Sequence, residues 1–377
     1  MRRAHNRLYN DNRLKLGIFS ANCSGGMAIT KIPERWDASW QNNLEIARLA
    51  DEAGIEFMLP IARWIGYGGE TDFQGSVLET ITWAAGLLTA TRGITVFSTV
   101  HTAFIHPIVA AKQGATVDQI GAGRWGLNIV CGWNKPEYDM FGLALPDDNS
   151  VRYGYAQEWW DIVRRIWQEE KPFDWFGRFF QLRNVHGAPR PWGDTLPPIL
   201  NAGSSPDGRN FAARNANFLF TLVIDLDEAA GKVAETKARA AAIGRDFEVF
   251  TTTYVVCRPT RREAEAFHRY YAEEQADREA ADRLMRLHGL YARRYSPELM
   301  EKFRIRFAGG HGCLPLIGTP DDVAEELERI AAAGFAGTTI AFVDYVREFP
   351  YFRDEVLPRL ERKGLRRPPG SDRTFAT

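Results

Sequence analysis

Asn201-Ala202-Gly203-Ser204-Ser205-Pro206-Asp207-Gly208 is a stretch whose residue types could hold an anion, because it follows an apolar run and opens a helical one. Small residues allow close approach, the first amides of a helix lack intrahelical partners, and the helix N-terminus favours negative charge. Ser205 or Asp207 could equally do no more than cap that helix. Arg152-Tyr153 could add a guanidinium and a phenol to the same phosphate, or be the solvated start of an ordinary helix. Gly121-Ala122-Gly123-Arg124-Trp125-Gly126 matches the glycine fingerprint for dinucleotides, but it ends a helix and opens a strand, the reverse of what phosphate cradling needs. Its glycines are expected to end the helix after Asp118 and turn the chain into the strand.

Other chemistries find little support. The seven histidines form no H-E-x-x-H and do not pair with cysteine at ligand spacing, so no metal site is expected. His101 and His106 flank a strand end, where either could line a pocket or serve as a hydrogen-bonded structural residue. Cys23, Cys131, Cys257 and Cys313 lie far apart with no C-x-x-C pair, which predicts reduced thiols and a cytoplasmic setting. No G-x-S-x-G elbow occurs. Lys plus Arg total 47 against 48 for Asp plus Glu, so a net charge of −1 offers no field for nucleic acid or an anionic membrane. No apolar run reaches the roughly 18 residues of a membrane helix.

These residues need elements to position them. Strand-like runs at 14–20, 55–59, 94–99, 125–130, 198–201, 218–223, 248–257 and 337–343 alternate with helical stretches. The helices are expected near Trp40 to Ala50, at 77–91, 108–120, 152–169, 207–215, 228–243, 321–333 and 352–363, with one more after Thr260. Eight such units predict a parallel α/β TIM (β/α)8 barrel, an open doubly wound sheet being the competitor. All 377 residues are read as one domain with flexible termini at 1–13 and 366–377. Two insertions, 133–151 and 260–320, should lie at the C-terminal face of the strands, and the glycine-rich 306–312 is expected to be a mobile lid. Trp159 and Trp160 on an outer helix could serve core packing or an oligomer contact.

Several stretches together resemble the bacterial luciferase-like family of flavin-dependent monooxygenases. They are Cys23-Ser24-Gly25-Gly26, Arg63-Trp64-Ile65-Gly66-Tyr67-Gly68-Gly69, Ala115 to Ile120 leading into Gly123 to Trp133, Lys135-Pro136-Glu137-Tyr138, Arg152-Tyr153 and Ala202-Gly203-Ser204-Ser205. The resemblance runs from about 14 to 365 and is nearest the pyrimidine oxygenase and dimethylsulfone monooxygenase branch.

The resemblance implies a two-component enzyme. Reduced FMN would come from a separate NAD(P)H:flavin reductase, and dioxygen would oxygenate a small heteroatom-containing substrate, with C–N or C–S cleavage as an outcome. Flavin contacts are implied at Ala62, Arg63, Asn128, Glu137, Arg152, Tyr153, Ser204 and Ser205. Thr99 and Asn128 would hold dioxygen, Trp133 would wall the pocket, and His101, Tyr254 and Tyr345 are candidate substrate contacts. Related alkanesulfonate monooxygenases carry Arg and His where this chain has Thr252 and Tyr254, and their lid arginine matches Ala308, with Arg306 only nearby. That departure argues against a sulfonate site. A deazaflavin F420-dependent oxidoreductase and a non-catalytic flavin-binding protein are the alternatives. Family habit implies a homodimer or homotetramer.

Overall fold

Eight parallel strands form the centre of the computed structural model, which describes residues 6–292 and 295–369. They are β1 (Lys15–Phe19), β2 (Phe57–Leu59), β3 (Thr95–His101), β4 (Trp125–Val130), β5 (Ile199–Asn201), β6 (Phe218–Phe220), β7 (Glu248–Cys257) and β8 (Gly337–Ile340). Each pairs in parallel with the next, and β8 returns to β1 with Lys15 opposite Gly337. The sheet therefore closes as a TIM barrel, which excludes the open alternative.

Aromatic rings fill the barrel. Phe250 lies between Phe57 and Phe218, with centroids 5.3 and 4.8 Å away. Two strand glycines make room for them: a Cβ at Gly17 would meet Phe57 at 2.3 Å, and one at Gly126 would meet Phe97 at 2.4 Å. Above this plug the strands end in the polar residues of the site. The entry to β3 is held by Asp51, whose carboxylate accepts the backbone N–H groups of Arg92, Gly93 and Ile94 at 2.6, 2.9 and 2.8 Å. Gly121 caps the helix Pro107–Ile120, and Ala122 and Gly123 then take positive φ to turn into β4.

The elements follow the expected pattern with additions, among them helix Lys135–Met140 and, after Thr260, helices Arg261–Arg269, Arg278–Leu287 and Pro297–Gly310 where one was expected. The closing helix begins earlier, at Tyr345, and breaks at Val356 into a second short helix, Leu357–Arg362, with Pro358 in its first turn. A two-stranded antiparallel hairpin, Phe173–Phe176 with Gln181–Val185, lies between helix Asn149–Gln168 and β5. Strand Leu314–Gly318 extends the barrel sheet outward by pairing with β7.

The termini also differ from expectation where they are described. Leu8 is fully buried, and Arg366 forms a buried ion pair with Glu56 at 2.7 Å, so residues 6–13 and 366–369 pack on the barrel. The outermost termini lie outside the described residues. Trp159 and Trp160 are buried in the core of this chain, which leaves neither free for another copy. Among the described residues, no helix is long and apolar enough to cross a membrane.

The segment 306–312 is not an open loop. It ends helix Pro297–Gly310, with His311 as a left-handed cap, and it is buried where the glycines fall. The glycines permit close packing: a Cβ at Gly310 would meet the Tyr254 ring at 2.2 Å. Arg306 donates to the carbonyls of Gly312 and Cys313 at 3.0 Å each and to those of Val223 and Ile224. Those bonds fasten the segment to the loop after β6.

Candidate active site

Thr99 and Asn128 sit opposite one another on β3 and β4, in register at the C-terminal ends of the strands. Asn128 Nδ2 donates to Thr99 Oγ1 at 3.1 Å, and Thr99 Oγ1 donates to the Pro60 carbonyl at 2.6 Å. Asn128 Oδ1 is buried and has no partner. Thr99 shares a cavity of about 60 Å³ with Ala62, Arg63 and His101. His101 Nδ1 also lacks a partner, and burial, reinforced by the Arg63 charge, pushes its pKa down to about 3. The ring is therefore neutral and can exchange hydrogen bonds without carrying a charge.

The loops after β2 and β4 meet through a buried ion pair. Arg63 Nη1 lies 3.2 Å from Glu137 Oε1, and the two side chains are 4% and 1% exposed. The same oxygen accepts the Trp64 backbone N–H at 2.9 Å. Arg63 also stands over the rings of Tyr67 and Trp133, 4.8 and 5.2 Å from their centroids. Its Nε has no partner. Such pairs are costly to desolvate, and the Trp64 N–H supplies Glu137, on the short helix Lys135–Met140, with a second donor.

The expected anion stretch forms a second cluster. Ser205 caps helix Pro206–Asn215 by accepting the Gly208 N–H at 3.1 Å. Tyr153, in the first turns of helix Asn149–Gln168, brings its hydroxyl to this turn. A Cβ at Gly203 or Gly208 would come within 2.6 or 2.5 Å of that oxygen. Burial raises the Tyr153 phenol to about 12, while a hydrogen bond with Ser205 and the nearby Arg152 charge oppose the rise. The phenol therefore keeps its proton and is a donor. Arg152 itself is half-buried and bonds Asn149. Ser204 is exposed, with its carbonyl accepting from Arg209 at 2.6 Å. Asn201 ties this cluster to β4 by donating to the Ile129 carbonyl at 2.7 Å.

The structure thus brings together Ala62, Arg63, Thr99, His101, Asn128, Trp133 and Glu137 in one group and Arg152, Tyr153, Ser204 and Ser205 in another. Tyr254 and Tyr345 differ from the expectation of substrate contact. Both are buried, and their hydroxyls are committed, to His268 Nε2 at 3.1 Å and to the Phe19 carbonyl at 2.6 Å.

Sequence reasoning missed several polar atoms. Tyr67 Oη, Thr102 Oγ1, Asn134 Oδ1 and His311 Nε2 are buried without partners near the same strand ends and loops. Their only sequence signal is a polar side chain among glycines and aromatics, as in Gly310-His311-Gly312.

A profile described as luciferase-like monooxygenase matches residues 14–337. The pyrimidine monooxygenase RutA of Rhizobium rhizogenes is 28% identical over 354 residues, covering 92% of this chain and 96% of that protein. An FMNH2-dependent dimethylsulfone monooxygenase of Pseudomonas fluorescens is 31% identical over 353 residues, covering 92% and 94%. Among solved structures, a riboflavin lyase holding modified FMN and riboflavin aligns with a TM-score of 0.84 at 20% identity, over 96% of this chain and 94% of that one. DmoA from Hyphomicrobium sulfonivorans aligns with a TM-score of 0.81 at 20% identity, over 93% and 89%.

Proposed function

The chain belongs to the luciferase-like monooxygenase family, and from that premise we propose that it binds reduced FMN supplied by a separate NAD(P)H:flavin reductase and uses dioxygen to oxygenate a small heteroatom-containing compound. The observation that carries the reading is the hydrogen-bonded Thr99–Asn128 pair at the barrel mouth, beside buried polar atoms with no protein partner. Barrel enzymes place their chemistry at this face.

The residues fit the cofactor in two respects. Asn128 Oδ1, His101 Nδ1 and Arg63 Nε are buried donors or acceptors that a polar ring system would satisfy. The Gly203–Gly208 turn, closed by Tyr153 and capped by Ser205, is a cradle with no space for side chains. When bound, reduced FMN would supply the electrons that activate dioxygen.

Each residue then has a role. Ser205, Tyr153 and Arg152 hold the phosphate, with Ser204 at the exposed rim. Ala62, Arg63 and Glu137 shape the loop against the ring system. Asn128 presents its second amide hydrogen to dioxygen, Thr99 fixes the orientation of that amide, and Trp133 screens the place from water. Cleavage of a C–N or C–S bond would follow from oxygenation next to the heteroatom. Oxygen uptake with FMN, NADH and a flavin reductase tests the reading. Substrate-dependent uptake with product formation supports it; FMN binding without uptake would leave a flavin-binding protein, and activity with F420 alone would replace it.

A further inference from the structure

A cavity of about 800 Å³ lies at the end of the barrel opposite Thr99 and Asn128. Its lining includes Lys15, Ile199, Phe218 and Glu248, the first residues of β1, β5, β6 and β7. Small-molecule sites occupy roughly 300–1,000 Å³, so the space suits a ligand of that class. Part of the lining is apolar. Tyr9, Trp160, Leu196 and Phe218 contribute to it, and the Tyr9 and Phe218 rings lie 6.0 Å apart.

The rest is polar and charged, and Arg245 is its least satisfied member. Gly244, at φ 70°, ends the turn after helix Leu226–Ala241, and the Arg245 N–H closes on the Ala240 carbonyl at 3.0 Å, which sets the residue just before β7. Arg245 Nη2 donates to the Ala216 carbonyl at 3.0 Å, whereas Nε is buried with no partner. An orphaned buried donor calls for a ligand or water. Burial, and then the Arg164 charge, lower the pKa of Arg245, so the two guanidiniums are close enough to repel each other. An anion between them would relieve that repulsion.

The balance of charge limits what the anion can be. Lys15, Arg164, Arg214 and Arg245 line the cavity with Asp194, Asp246 and Glu248, so four cations against three carboxylates leave one positive charge. Two of these residues also have partners outside the cavity: Glu248 pairs with Lys237 at 2.6 Å and Arg164 with Asp161 at 3.2 Å. A monoanion matches that single charge, while a dianion would face three carboxylates with too few cations to offset it. The planar guanidinium fork suits a carboxylate, and the rings suit an apolar body attached to it.

We propose that this cavity binds a small carboxylate carried on an apolar ring, with Arg245 meeting the carboxylate and Tyr9, Leu196 and Phe218 meeting the ring. The site shares no residue with those assigned above to FMN and dioxygen, so it is a second ligand site at the other end of the barrel.

The full chain, with and without FMN, is titrated calorimetrically with benzoate, and in separate runs with benzamide and inorganic phosphate. Benzoate is expected to bind at least about tenfold more tightly than either, and equally well in the presence of FMN. Arg245→Gln should weaken benzoate by about tenfold and leave FMN affinity unchanged, and Arg245→Lys should recover part of the loss. Leu196→Trp fills the apolar part of the cavity and should abolish benzoate binding; a melting curve shows that each variant is folded. Benzamide or phosphate binding as tightly as benzoate overturns the proposal, as do folded Arg245→Gln and Leu196→Trp variants that bind benzoate unchanged. Displacement of benzoate by FMN would put the ligand at the barrel mouth and overturn it too.

Discussion

Thr99 accepts a hydrogen bond from Asn128 Nδ2 at 3.1 Å and donates its own hydroxyl hydrogen to the Pro60 carbonyl at 2.6 Å. A threonine hydroxyl has one proton, so Thr99 cannot also donate to dioxygen in this arrangement. In the proposed reading, direct donation to dioxygen would fall to the second hydrogen of the Asn128 amide, with Thr99 orienting it. Thr99→Ala should therefore leave FMN affinity within about twofold and lower coupled product on the order of tenfold or more, with oxygen appearing instead as hydrogen peroxide. Thr99→Ser should recover coupling. Product and peroxide measured in the same assay distinguish these outcomes, and unchanged coupling in the alanine variant would remove Thr99 from the mechanism.

The Arg63–Glu137 pair makes a stability prediction. Removing one partner of a buried pair leaves the other charge uncompensated. Glu137→Ala should destabilise the fold on the order of 3 kcal/mol, and Glu137→Gln less, because the amide oxygen can still accept the Trp64 N–H. Urea denaturation of the two variants gives the comparison. Equal losses would show that the Trp64 hydrogen bond adds nothing to the charge pairing there.

Tyr153 should discriminate FMN from riboflavin. Its protonated phenol sits over the Gly203–Gly208 turn, where the proposed reading puts the phosphate of FMN. Tyr153→Phe is expected to weaken FMN by about tenfold and leave riboflavin unchanged. Gly203→Ala should do the same, since the new methyl group would meet that hydroxyl at 2.6 Å. Calorimetric titration with both ligands tests this; parallel losses would place the phosphate elsewhere.

Acid stability should depend on Glu56. Burial alone would raise its pKa, but the Arg366 charge and hydrogen bonds from Arg366, Asn10 and the Leu16 N–H outweigh it and hold the carboxyl below its ordinary 4.5. A depressed folded pKa means that the contribution is present above pH 4.5 and is lost as pH falls through the lower folded value. Thermal melts of the native chain should therefore decline below that point more steeply than those of Glu56→Gln. Parallel curves would show that the pair contributes no acid sensitivity.

The barrel was legible because each strand is a short β-branched or aromatic run bounded by helix caps and glycines, as at Gly54 and Gly93. The hairpin at 173–185 was not, because only Phe173 and Val185 of its strands are buried and no apolar alternation marks it. Its support comes from elsewhere, including the Arg165 guanidinium 3.9 Å from the Phe173 ring. The packing of Gly309 and Gly310 is not legible in the sequence, because a missing Cβ serves flexibility and close packing alike, and the contact with Tyr254 appears only in the fold. The Ser205 cap could be read locally from the Gly203-Ser204-Ser205-Pro206 stretch, and Tyr153 does reach that turn. The packing of Tyr67 against His311 could not, since it joins segments more than 200 residues apart in numbering.

The most direct test of the account supplies reduced FMN through a flavin reductase under isotopically labelled dioxygen, with uncharged amides and sulfones as substrates. Mass spectrometry of the product should show one labelled oxygen atom, formed with the native chain and lost with Asn128→Ala. A product without label, or the same labelled yield from the Asn128 variant, would contradict it.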